Sequence, residues 1–181
     1  MSNYNSKKEF NSEFISTSLV KKLINNQFPE YKDLTIKPVE KQGWDNRTYR
    51  LGKSKLVRLP SAEYYSIKIP KEQKYLPLIA PYLTTNISKP IKIGKPNSLY
   101  PFNFAIYEWI DGTSANLLNF TDKELEMIAT DLAIFLNELH SINNLSGPSP
   151  GKHNGWGGAE LSLFDKDTKN QIDQLSNIIN K

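Results

Sequence analysis

Between Thr35 and Pro60 the chain offers three short extended runs with almost no room between them, and that spacing constrains the fold more than any other feature. Thr35–Glu40, Thr48–Leu51 and Leu56–Leu59 carry Thr, Ile, Val, Tyr and Leu, residues that suit a pleated, half-buried surface. Gly43-Trp44-Asp45-Asn46 and Gly52-Lys53-Ser54 supply the turns, and Pro60 stops the third run. Parallel neighbours need a long crossover, so connections this short dictate an antiparallel meander. Pro38 has no N–H to give to a ladder, which puts the first strand at an edge.

Around the meander the patterns are helical, then extended again. Ser16-Thr17-Ser18 offers N-cap hydroxyls to a short helix with Leu19, Val20, Leu23 and Ile24 on one face, closed by Pro29. Residues 61–82 read as a helix with Tyr65, Ile69, Leu76 and Ile79 as apolar positions. Pro70 and Pro77 are expected to kink or divide it, each removing an N–H and clashing with the preceding turn. Two more strands follow, Lys89–Ile93 and Phe102–Ile110. The second is the most apolar stretch of the chain, hence a central strand, and Asp111-Gly112 ends it. Thr121-Asp122-Lys123-Glu124 is a capping box. Behind it Leu125, Ile128, Ala129, Leu132, Phe135, Leu136 and Leu139 recur at helical spacing. Gly and Pro make 147–158 irregular, and Asp165–Asn180 is a last helix with Ile172, Leu175, Ile178 and Ile179 on one side. The class is α+β.

Composition excludes several functions. With no Cys among 181 residues, disulfides, thiolate metal sites and thiol nucleophiles are ruled out. The two histidines, His140 and His153, are too isolated to suggest a metal site. The polar start, Met1 to Ser18, lacks the apolar core of a signal peptide, and no run is long and apolar enough to span a bilayer. A soluble cytoplasmic protein is the expectation. Charge is divided: residues 1–100 hold 18 Lys/Arg against 8 Asp/Glu, and residues 101–181 hold 5 against 11. A basic first half suits phosphate or nucleic acid, and an acidic second half suits a cationic partner. Tyr64, Tyr65, Tyr75 and Tyr82 could stack bases, but no nucleic-acid motif accompanies them.

Helix, three strands, helix, two strands, then helices is the order of the small lobe of the protein-kinase-like fold, and local strings agree. Gly43-Trp44-Asp45-Asn46-Arg47-Thr48-Tyr49, Val57-Arg58-Leu59-Pro60 and Lys71-Glu72-Gln73-Lys74-Tyr75-Leu76-Pro77 come first. Tyr107-Glu108-Trp109-Ile110-Asp111-Gly112, Leu136-Asn137-Glu138-Leu139-His140 and Gly147-Pro148-Ser149-Pro150-Gly151-Lys152-His153-Asn154 follow. In this order, over residues 35–165, they resemble the aminoglycoside phosphotransferase family. The resemblance implies a kinase-like small lobe with a five-stranded antiparallel sheet plus a helix, which with the lead-in helix occupies 1–110. A hinge and the first helices of an incomplete large lobe occupy 111–181.

That family binds ATP, or GTP in some members, with Mg²⁺ and phosphorylates a hydroxyl of a small molecule, often an antibiotic. The resemblance implies that the turn holding Gly43, Asp45 and Asn46 lies over the phosphates, where backbone N–H groups can point at anionic oxygens. Arg58 becomes the cation on the α/β-phosphates, and Glu72, from the next helix, its partner, with Glu63 the other candidate. Many relatives carry lysine there; arginine grips phosphate as a planar fork. Glu108 and Ile110 would offer a backbone carbonyl and N–H to the base, with Tyr107 at the back wall.

The family's catalytic loop, His-Gly-Asp, has no counterpart here. His140 is followed by Ser141-Ile142 and His153 by Asn154-Gly155, and neither has Asp two residues on. Asp165 and Asp167 sit where acidic residues complement a helix start. No catalytic or metal-binding residue is therefore assigned, and Mg²⁺ is expected only if a C-terminal part supplies its carboxylates. These residues alone are expected to be inactive in phosphotransfer, as part of a truncated or split gene. The other reading is a non-catalytic module that binds a nucleotide or a protein. The nucleotide is the expected partner, and the small-molecule acceptor is left open. The apolar face behind the capping box needs cover, from a second copy or a complementing C-terminal chain.

Overall fold

The computed structural model describes residues 14–143, 145–151, 154, 156–175 and 178. Lys152, His153 and Ile179, which the sequence reading used, lie outside the described residues, as do residues 1–13. The chain divides into two units, 1–143 and 144–181.

In the first unit, helix α1 (Thr17–Gln27) starts where the side chain of Ser16 accepts the N–H of Leu19. Strands β1 (Ile36–Pro38), β2 (Asn46–Leu51) and β3 (Lys55–Pro60) form the expected meander. Asn46, read as a turn residue, belongs to β2, where it pairs with Pro60. Gly52 closes the β2–β3 turn at φ +63°, a backbone conformation that costs a residue with a Cβ. After α2 (Glu63–Ser66) and α3 (Lys68–Ile79) come β4 (Pro90–Gly94) and β5 (Phe104–Glu108). The sheet order is β1-β2-β3-β5-β4, all antiparallel, with β1 and its proline at an edge.

The region 61–82 is divided as expected at Pro70, whose missing N–H and ring act on the carbonyl of Ser66, the last residue of α2, while Pro77 makes no break. The break falls at Ile67, between α2 and α3. Pro70 lies in the first turn of α3, where N–H groups have no helical acceptor and a missing one costs nothing. Pro77 stays inside the helix near its end.

Strand alternation gives the sheet two faces with different tasks. Tyr49, Leu51, Val57, Leu59, Phe104 and Ile106 point to one side and pack with Val20, Leu23, Ile24 and Phe28 into the main core. Tyr100 closes that core and donates its hydroxyl to the carbonyl of Pro60. Gly94 lets β4 pass over Phe104; a Cβ there would come within 2.2 Å of the ring. The opposite face carries Thr48, Arg50, Leu56, Arg58, Ala105 and Tyr107. α3 covers part of it, with Ile69 buried on Ala105 and Tyr107 and Leu76 packed beside them.

Helix α4 (Asp122–His140) begins with both bonds of the Thr121/Glu124 capping box in place. Leu125, Ile128, Leu132 and Leu136 are exposed on it. In the second unit, α5 (Asp165–Gln174) follows a short 3-10 turn, and Asp165 pairs with Lys169. The described residues 147–151 before it form no regular helix or strand, as expected. Asn154 braces it by accepting the N–H of Gly151, and Trp156 stands at φ 62°.

Candidate functional site

β3 and α3 bring together two charges fourteen residues apart. The pleat turns Arg58 away from the main core, and the first turns of α3 set Glu72 above it. Arg58 Nη2 donates to Glu72 Oε2 as an ion pair. The hydroxyl of Tyr107, on the neighbouring β5, accepts from the same Nη2 at 2.9 Å and donates to the same Oε2 at 2.5 Å. The Arg58 guanidinium lies 4.5 Å from the centre of the Tyr107 ring. Burial pushes the Tyr107 phenol above its ordinary range, and the Arg58 charge pulls it partly back. It therefore remains a donor at neutral pH.

These three residues line a cavity of about 460 Å³ together with Thr48, Leu56, Leu76 and Ser88. Thr48 also borders a second cavity of about 470 Å³, walled by Val39, Trp109, Thr113 and Ser114. Beside it Trp109 donates its indole N–H to Asp111 at 2.7 Å, and Arg50 stacks on the indole at 3.9 Å. Arg50 also pairs with Asp111, so β2 and the segment after β5 are clamped together.

The turn with Gly43, Asp45 and Asn46 is tied down at its carbonyls. Ser61 donates from its hydroxyl to Trp44 and Asp45 and from its backbone to Asp45. Arg47 reaches back to the carbonyl of Gly43 at 2.7 Å, and Asp45 pairs with Lys68 at 3.5 Å. Among the described residues the N–H groups of Gly43, Trp44 and Asp45 have no protein acceptor.

After β5 the backbone is partly committed. Glu108 gives its N–H to Lys89 at 2.8 Å, and its carbonyl accepts the Ser88 hydroxyl at 2.7 Å. The N–H of Ile110 has no acceptor among the described residues. Sequence reasoning missed Ser88, the bonds of the Tyr107 hydroxyl and the Arg50–Trp109–Asp111 cluster. For Arg50 a signal existed: it lies two residues from Thr48 on β2, so the strand period puts it on the same face.

No group of three His, Asp or Glu among the described residues is placed to hold a metal ion. No helix among them is long and apolar enough to cross a membrane.

A five-stranded antiparallel sheet backed by one helix and bearing a strand cation latched to a helix carboxylate is the kinase-like phosphotransferase architecture. Residues 35–176 match the phosphotransferase enzyme family, and the chain belongs to it. Solved structures agree on the fold. A GDP complex of a mutant aminoglycoside 2'-phosphotransferase-IIIa superposes with a TM-score of 0.68 at 20% identity, over 88% of this chain and 53% of that one. A GDP and kanamycin complex of APH(2")-IIIa gives 0.65 at 21% identity, over 89% and 53%. A streptomycin–ATP–APH(2")-IIa complex gives 0.55 at 19%, over 98% and 53%. The chain spans about half the length of these solved structures. No curated protein matches it.

Proposed function

We propose that this chain is the nucleotide-binding portion of an ATP- or GTP-dependent phosphotransferase acting on a hydroxyl of a small molecule, of the aminoglycoside type. One observation carries the reading: Arg58, paired with Glu72, stands at a cavity lined also by Ser88 and Tyr107, and Thr48 borders both it and the cavity walled by the segment after β5. A partly buried cation with a fixed counter-charge is what polyphosphate recognition needs. The phosphates lie at Arg58 beneath the N–H groups of Gly43 and Asp45, with Asn46 at the end of that turn. The base takes the N–H of Ile110 and the remaining lone pair of the Glu108 carbonyl. Solved neighbours that hold GDP, ADP or ATP, with kanamycin, gentamicin or streptomycin in some, support the substrate classes. Nucleoside triphosphates place such an enzyme in the cytoplasm.

The described residues do not fit a Mg²⁺ site, and neither histidine of the chain opens a His-x-Asp loop. These residues by themselves bind nucleotide and do not transfer phosphate. In this reading 1–110 is the nucleotide lobe, and 111–181 is the hinge with the opening of a helical lobe. The exposed leucines of α4 favour a covering partner for that face, either a second copy or the rest of a helical lobe.

Titration calorimetry with ATP, GTP and ADP, with and without Mg²⁺, tests this. Binding that is lost in Arg58→Met and changes little with Mg²⁺ is the expected result. No binding of any of the three, or binding that requires the metal, overturns it.

A further inference from the structure

We propose that Tyr107 is a positioning residue for Arg58, its hydroxyl fixing the plane of the guanidinium and so the direction in which Nη1 faces a bound phosphate. The inference rests on the nucleotide reading above.

Arginine in place of a point-charge ammonium creates a problem of orientation. A guanidinium presents its donors in a fixed plane, so rotation about its terminal bonds decides whether two of them, one or none meet an anion. A single carboxylate does not fix that plane. Here the hydrogen bonds of Arg58 among the described residues all leave from Nη2, shared between Glu72 and Tyr107. The phenol closes the triangle by donating to Glu72 at 2.5 Å. Its ring, 2% exposed, supports the guanidinium from one side.

The triangle leaves donors in hand. Arg58 Nε is buried without an acceptor, and Nη1 takes no part in the triangle. A phosphate entering the cavity meets Nη1 in an oriented plane and need not break the Glu72 pair. Tyr107 also sits on β5 directly before Glu108, so the group that orients the phosphate cation and the backbone offered to the base belong to one strand end.

Tyr107→Phe keeps the ring and removes the hydroxyl. In the full chain the expected result is about tenfold weaker binding of ATP and ADP, roughly 1.4 kcal/mol, with adenosine affinity unchanged. In the unsubstituted chain, nitrogen-15 spectra are expected to show separate Nη resonances for Arg58, as hindered rotation requires. Three results overturn the proposal: ATP binding within twofold of the parent, an equal loss for adenosine, or averaged Nη signals. Failure of the parent to bind ATP, or indifference of its binding to Arg58→Met, overturns the nucleotide reading and this inference with it.

Discussion

Removing the carboxylate of Glu72 separates what the site contributes to stability from what it contributes to binding. Glu72→Ala leaves Arg58 charged without its counter-ion and leaves the Tyr107 hydroxyl without its acceptor. The two charged side chains are 29% and 28% exposed, between the limits for which energies are known. Exposed pairs contribute about 0–1 kcal/mol, and breaking a fully buried one costs about 3–5 kcal/mol. With solvent still reaching both groups, a loss of about 2 kcal/mol is expected in urea unfolding followed by circular dichroism. The paired change Arg58→Met with Glu72→Leu removes both charges and fills the space with apolar volume. It is expected to recover most of the stability, because it strands no charge, while ATP binding stays abolished. A Glu72→Ala variant within 0.5 kcal/mol of the parent, a margin set by ordinary surface substitutions of about that size, would refute the reasoning. So would a double variant no more stable than the single one.

Two further perturbations test the scaffold. Gly94→Ala drives a methyl to within 2.2 Å of the Phe104 ring, and both residues are held by the β4–β5 register, so overpacking is expected to cost about 1–3 kcal/mol in the same unfolding assay. Thr121→Ala removes the N-cap of α4 at a cost of about 1 kcal/mol, seen as faster hydrogen exchange in the first turn of that helix. Hydrogen bonds from the Thr121 backbone and side chain lower the Glu124 pKa, so its share of the cap is complete above the ordinary carboxylate value and is lost as pH falls through the depressed one. Protection factors in that turn should fall over this acidic window in the parent and lose that dependence in Glu124→Gln.

The strand order was legible because turns are local. Gly52 and the clusters around it leave the chain no choice but to fold back, and the α4 cap is written in four consecutive residues. The division of 61–82 was legible from Pro70, but its exact place was not. Pro70 looks like a helix breaker in sequence, but its effect depends on whether its N–H would have had an acceptor, and that depends on where the helix begins. Nor did spacing alone indicate the Arg58–Glu72 pair: fourteen residues separate them, and only the resemblance joined them. The Ser88 hydroxyl on the Glu108 carbonyl, across twenty residues, had no local signature at all.

The weakness of α3 as an apolar helix explains why fold and site cannot be pulled apart. It fully buries one side chain, Ile69, and adds Leu76 as a partial contact. Burying one such residue is worth about 1.5–3 kcal/mol, thin support for a helix of twelve residues that also carries Pro77 in its interior. It also meets β4, and a polar part of its attachment to the open sheet face runs through Glu72, which reaches β3 at Arg58 and β5 at Tyr107. The same three side chains that would receive a phosphate therefore also dock the helix. A ligand that draws Arg58 off Glu72 must loosen α3, whereas one that accepts from the uncommitted Nη1 leaves the latch closed and adds to it. In the proposed reading a latch made of charges holds the helix and receives an anion together, two tasks that an apolar pair of equal volume could not combine.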